Sequence, residues 1–212
     1  MNTSARITAI DPEPRRPEAV RVEIDGVRFG SITREVAARE GLVVGQPVDA
    51  ELQERLGVAA DLEAAFRTVL RALEVRSYAR ADLGRRLRRK GHAVAAVEAA
   101  LARAVDLGLL DDTAFARTYV ETRAARGRGP SRLTRDLLAM GVERSLIDRA
   151  VAAQWPEGSD RSAVPLALAR KRVSQLGSLP RQTKRRRLVA YLARRGFTGR
   201  EVTEIVDQVV SR

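Results

Sequence analysis

The chain has 212 residues, 44% of them hydrophobic, enough length and apolar content for one large domain or two small ones with a buried core. It holds no cysteine and a single histidine, His92, which excludes disulfides, thiolate nucleophiles and cysteine metal sites and leaves almost nothing for histidine triads. The net charge is +12, no apolar run approaches the roughly 20 residues of a membrane span, and Met1-Asn2-Thr3 opens no basic-then-apolar leader, so a cytoplasmic, soluble protein is expected.

The first sixty residues alternate as strands do. Arg6 to Ile10 forms a short strand candidate, and Pro12, Pro14 and Pro17 predict a stiff polar loop. Val20 to Ile24 and Val27 to Ile32 flank Asp25-Gly26, a pair suited to the positive φ values of a two-residue hairpin turn. Residues 33–40 predict a short helix stopped by Gly41, and a second short helix follows Val48-Asp49 and ends near Gly57. From Asp61, a plausible N-cap, every segment has helical spacing. Leu62, Phe66, Val69, Leu70 and Leu73 mark one apolar face. Further helices are expected over about 79–90 and 94–107, from the cap Asp112 to the break at Gly127, and over about 130–140, 143–154, 160–176, 181–195 and 199–211.

A phrase recurs within this helical part. Leu83, Leu87 and Gly91 are matched by Leu133, Leu137 and Gly141 and by Leu188, Leu192 and Gly196. The residue after each glycine is His92, Val142 or Phe197, and the match continues through Val97, Ile147 and Val202 to Leu101, Val151 and Val206. The glycines lie 50 and then 55 residues apart, a period that marks a repeat architecture. The expected fold is mainly α: three tandem three-helix repeats in an elongated, curved array, preceded by a small extension containing a β-hairpin. Its boundaries are a cap at 1–60 and repeats at 61–108, 109–156 and 157–212.

The charge is unevenly spread. Residues 1–60 carry 8 basic and 10 acidic side chains, residues 61–212 carry 31 and 17, and residues 161–200 carry 12 basic and none acidic. A GC-rich codon bias explains why only three of the basic residues are lysine, but not forty residues without a carboxylate. An anionic partner explains that window. Arg85, Arg86, Arg88, Arg89 and Lys90 lie on the middle helix of the first triplet. Arg132 and Arg135, with Arg126 and Arg128 in the preceding turn, hold the corresponding place in the second. Lys184, Arg185, Arg186, Arg187, Arg194 and Arg195 do so in the third. Guanidinium groups bind phosphate bidentately, and equivalent helices could carry them as a track. A solvated helix face is the ordinary account of one charge run, and docking onto an acidic protein surface is a third account.

Other constellations are weaker. Phe66, Phe115, Tyr119 and Tyr191 fall on apolar faces and suit core packing better than base stacking. His92 suits a half-buried contact after its glycine, and Asp111-Asp112 suits helix capping better than a metal site. There is no G-x-x-x-x-G-K-[ST] loop and no catalytic constellation, so neither a cofactor nor enzymatic activity is expected.

Gly108-Leu-Leu-Asp-Asp-Thr-Ala-Phe-Ala116, Arg126-Gly-Arg-Gly-Pro-Ser-Arg-Leu133 and Leu137-Leu-Ala-Met-Gly-Val142 resemble the RecX family, bacterial regulators of the RecA recombinase. Ala81-Asp-Leu-Gly-Arg-Arg-Leu-Arg-Arg-Lys-Gly91 and Tyr191-Leu-Ala-Arg-Arg-Gly-Phe197 fit as well. The resemblance implies a monomeric, non-enzymatic modulator within DNA repair, recombination and the SOS response. It would bind the RecA filament on single-stranded DNA, with double-stranded DNA a further candidate ligand, and suppress ATP hydrolysis and strand exchange. The alternative is a general DNA- or RNA-binding protein of helix-turn-helix-like repeats that needs no RecA.

Overall fold

The computed structural model describes residues 5–14 and 16–211; Met1-Asn2-Thr3, read above for a leader, lies outside them. The chain is mainly α, with a small antiparallel sheet at its start, and it divides into two compact units, 1–110 and 111–212.

The first unit opens with strands β1 (Ile7–Glu13), β2 (Arg16–Ile24) and β3 (Val27–Thr33), in the spatial order β1-β2-β3. Asp25 and Gly26 turn β2 into β3 at φ 50° and 77°, as the hairpin signal requires. The expected proline loop is corrected: the strands run into it. Pro12 pairs with Val20 on β1, an edge strand, where a missing N–H is tolerated. Pro17 lies on β2 before the pairing with β3 begins at Ala19.

Helices α1 (Arg34–Arg39), α2 (Ala50–Val75), α3 (Arg80–Arg89) and α4 (Val94–Asp106) follow. A second correction concerns α2. The expected break at Gly57 and the new start at Asp61 do not occur; one helix runs through both, capped by Asp49, whose Oδ1 accepts from the Leu52 N–H at 2.7 Å. An interior glycine costs a helix only about 1 kcal/mol. Packing on both sides of Gly57 offsets that cost. Leu52 and Leu56 enter the core of the sheet with Ile7, Val22 and Ile32, while Phe66 and Val69 enter the core of the first triplet with Leu83, Leu87, Val97 and Leu101. Asp61 does serve a helix start, but that of α4: its carboxylate accepts from the Ala93 N–H at 2.9 Å and from His92 Nδ1 at 2.7 Å.

Glu63 joins sheet to triplet. Its side chain is 1% exposed and bonded by Arg16 of β2 and, at 2.6 Å, by Arg103 of α4. The Arg103 guanidinium also stacks on Phe66 at 4.1 Å.

The second unit contains α5 (Asp112–Ala124), α6 (Pro130–Met140), α7 (Arg144–Gln154), α8 (Ala163–Ser174), α9 (Arg181–Arg195) and α10 (Arg200–Val210). The N-cap of α5 is Asp111 rather than the expected Asp112. Asp111 Oδ1 accepts from the N–H groups of Thr113 at 2.7 Å and Ala114 at 3.1 Å, and Asp112 is the first helical residue. Asp111→Ala is therefore expected to lower the melting stability by about 1 kcal/mol, and Asp111→Asn, whose side chain can still cap, by clearly less. Equal losses in a thermal unfolding comparison would contradict the cap.

The recurrent phrase has a local cause. Gly91, Gly141 and Gly196 stand just past α3, α6 and α9 at φ 91°, 83° and 94°. The amides of His92, Val142 and Phe197 then donate back to the carbonyls of Leu87, Leu137 and Leu192 at 3.4, 3.1 and 3.0 Å. This is the Schellman termination, which needs a residue tolerant of positive φ and brings the next side chain against the helix. Val142 and Phe197 are buried after their glycines, while His92 keeps 13% of its side chain exposed against Asp61. The leucines of all three phrases are fully buried.

The second and third triplets meet end to end. Gly129 donates its N–H to the Arg195 carbonyl at 2.7 Å, and Ser131 donates to the Gly196 carbonyl at 3.2 Å. Pro130 between them has no N–H to satisfy. The last carbonyls of α9 thus fill the first turn of α6, which has no side-chain cap of its own.

Candidate nucleic-acid interface

On α3, Leu83 and Leu87 point into the core and the basic side chains project away from it. Arg85 meets Asp82 at 3.2 Å, and Arg88 lies 3.9 Å from Glu98. Arg86 donates to the Tyr78 hydroxyl at 3.1 Å. Arg89 and Lys90 are exposed and carry no ion pair. Of the five, these two are the most available to an external anion.

The second set is largely engaged within the protein. Arg128 and Arg132 converge on Asp136, each at 2.8 Å, and Arg135 donates to the Ser131 carbonyl at 3.2 Å. Asp136 and burial together push the neighbouring Tyr119 hydroxyl pKa up, burial being the larger cause. Arg126 is exposed, and its carbonyl receives Arg195 Nη1 at 3.4 Å.

In the third set, Arg195 is structural. Its guanidinium also donates to the Gly127 carbonyl at 3.3 Å and lies 5.0 Å from the Tyr191 ring, fastening α9 to the turn before α6. Arg185 bonds Asp207 at 2.6 Å, and that hydrogen bond holds the Asp207 carboxyl below the usual carboxylate range. Arg186, Arg187 and Arg194 are exposed and Lys184 is half-buried, all four without a partner. Four of the six cations expected on α9 are therefore free.

Sequence reasoning missed Arg28, Arg67 and Arg71. Arg67 and Arg71 sit on α2 between core residues, so the helix reads as apolar packing. Arg28 belongs to β3. The three border a groove of about 570 Å³ between β3 and α2. Arg71 also lines a smaller notch of about 110 Å³, together with Arg86 and Lys90 of α3.

Tandem three-helix units with basic side chains on their middle helices define a helical-repeat protein. Residues 111–151 match the model of the second three-helix domain of RecX, and residues 166–206 match that of the third. The regulatory protein RecX of Streptomyces coelicolor is 34% identical over 151 residues, covering 70% of this chain and 79% of the relative. That of Chlorobium phaeobacteroides is 31% identical over 150 residues, covering 70% and 95%. A crystal structure of a regulatory protein RecX superposes with a TM-score of 0.74 at 21% identity, covering 98% of this chain and all of the other. The chain belongs to the RecX family of regulatory proteins. Among the described residues no helix is long and apolar enough to cross a membrane.

Proposed function

We propose that the protein binds the RecA filament on single-stranded DNA and suppresses its ATP hydrolysis and strand exchange, acting in the cytoplasm as a monomer without catalysis of its own. Family membership supports the RecA partner. The observation that carries the DNA contact is the pair of unpaired basic clusters, Arg89 and Lys90 on α3 and Lys184, Arg186, Arg187 and Arg194 on α9. Unpaired guanidinium and ammonium groups are free to neutralise phosphates without first breaking an internal bond.

The test is the single-stranded-DNA-dependent ATPase of the cognate RecA, titrated with this protein. Suppression at substoichiometric amounts is expected. Arg85→Glu/Arg86→Glu/Arg89→Glu/Lys90→Glu should require about tenfold more protein for the same suppression, with an unchanged helical CD spectrum. Normal suppression by that variant would remove α3 from the interface. An unaffected ATPase at equimolar protein, with bare DNA or RNA still bound, would favour the general nucleic-acid binder, a reading that the helix-turn-helix-like triplets also support.

A further inference from the structure

Arg67 and Arg71 are one helical turn apart on α2, so they share a face. Neither has an ion-pair or hydrogen-bond partner. Across the groove stands β3, which contributes Arg28, 54% exposed, and Ser31. Arg71 also lines the notch that holds Arg86 and Lys90. Cations from β3, α2 and α3 thus border one path. The nearby carboxylates are already engaged. Glu13 accepts from the Ser31 hydroxyl at 2.7 Å and lies 3.6 Å from Arg28, and Asp61 accepts from His92 and Ala93. Gly30 seats the strand against the helix, since a Cβ there would fall 2.8 Å from the Ala60 Cβ.

Arg67 and Arg71 have no counter-charge of their own, and like charges one turn apart repel unless an anion joins them; Asp61, which also lines the groove, is held by His92 and Ala93. We propose that this groove is a binding site for the sugar-phosphate backbone of single-stranded DNA, with Arg67 and Arg71 on neighbouring phosphates and Arg28 closing it from the hairpin. The lining is chiefly polar, which suits phosphate and lacks the apolar pocket that anchors a protein segment. The N-terminal sheet thereby becomes one wall of a ligand site. The site deepens the reading above, on which it rests only for naming the strand.

The test is fluorescence anisotropy of a labelled oligothymidylate with the full-length protein, without RecA, over about 50 to 200 mM salt. Arg67→Glu/Arg71→Glu should raise Kd about tenfold or more and flatten the slope of log K against log salt by about 1.4, as expected for two lost single-strand phosphate contacts. Arg28→Glu leaves α2 untouched and should raise Kd by roughly threefold or more. Arg117→Glu/Arg149→Glu, at exposed positions on α5 and α7, makes the same change in net charge as the α2 pair and should leave Kd within about twofold. Unchanged affinity and slope in the first two variants would overturn the site, including the case where they weaken only RecA inhibition, which would point to an acidic protein as occupant. An equal loss in the control, or no binding by the unaltered protein at about 50 mM salt, would also overturn it. RecA is absent, so failure here leaves the ATPase result standing, and failure of the ATPase test leaves this one.

Discussion

Replacing Glu63 with alanine should destabilise the first unit by about 3–5 kcal/mol, the range seen when one member of a buried ion pair is removed. The carboxylate is 1% exposed and serves two guanidinium groups, Arg16 at 12% and Arg103 at 29% side-chain exposure. Without it Arg103 loses its carboxylate, and Arg16 keeps only the more exposed Glu18 at 3.3 Å, so the two cations are left close together with a single counter-charge. Arg16 comes from the sheet and Arg103 from α4, so their separation loosens the sheet from the triplet. Equilibrium urea unfolding gives the magnitude. The triple variant Arg16→Met/Glu63→Leu/Arg103→Met should recover most of the loss, because an apolar replacement of a whole buried charge set is often neutral or better. A Glu63→Ala variant within about 1 kcal/mol of the unaltered protein would show that the ion set is solvated and structurally idle.

Gly196→Ala is the second large effect, expected at roughly 3 kcal/mol or more. Two costs combine. The residue sits at φ 94°, and a Cβ there would lie 2.4 Å from both the Cβ and the backbone nitrogen of Arg132. Backbone atoms cannot step aside as a flexible side-chain end can, so the end of α9 must retreat from α6. Gly91 provides the control. It has nearly the same φ, 91°, and open space where its Cβ would go. Gly91→Ala should cost only the backbone strain, about 1–2 kcal/mol. The difference between the two variants in thermal melts isolates the close approach, and equal losses would show that the strain alone matters.

The sequence was most legible where structure is decided locally. A Schellman termination needs chiefly a residue tolerant of positive φ just past the helix, so glycine four residues after a buried leucine, at Gly91, Gly141 and Gly196, exposes all three triplets. Asp25-Gly26 is local in the same sense. Misreadings arose where a residue answers to something distant. Asp61 has the chemistry of a cap and acts near a helix start, but 32 residues away. Gly57 fails to end α2 because packing on both sides holds the helix together. The arginine positions could be read, but not their engagement. Nothing near Arg185 announces Asp207, and nothing near Arg195 announces the carbonyls of Arg126 and Gly127. Arg67 and Arg71 were hidden because a helix read for its leucines does not advertise what its other face meets.

The end-to-end meeting of α9 with α6 bears on the order in which the molecule can be completed. A chain made from its N-terminus exposes Gly129 and Ser131 to solvent long before Arg195 and Gly196 exist to receive their protons. During synthesis the opening turn of α6 must lean on water, and it is finished only when the third triplet has left the ribosome. The middle of the protein is therefore matured by its end, and a chain stopped after the second triplet would carry a helix whose entrance was never closed.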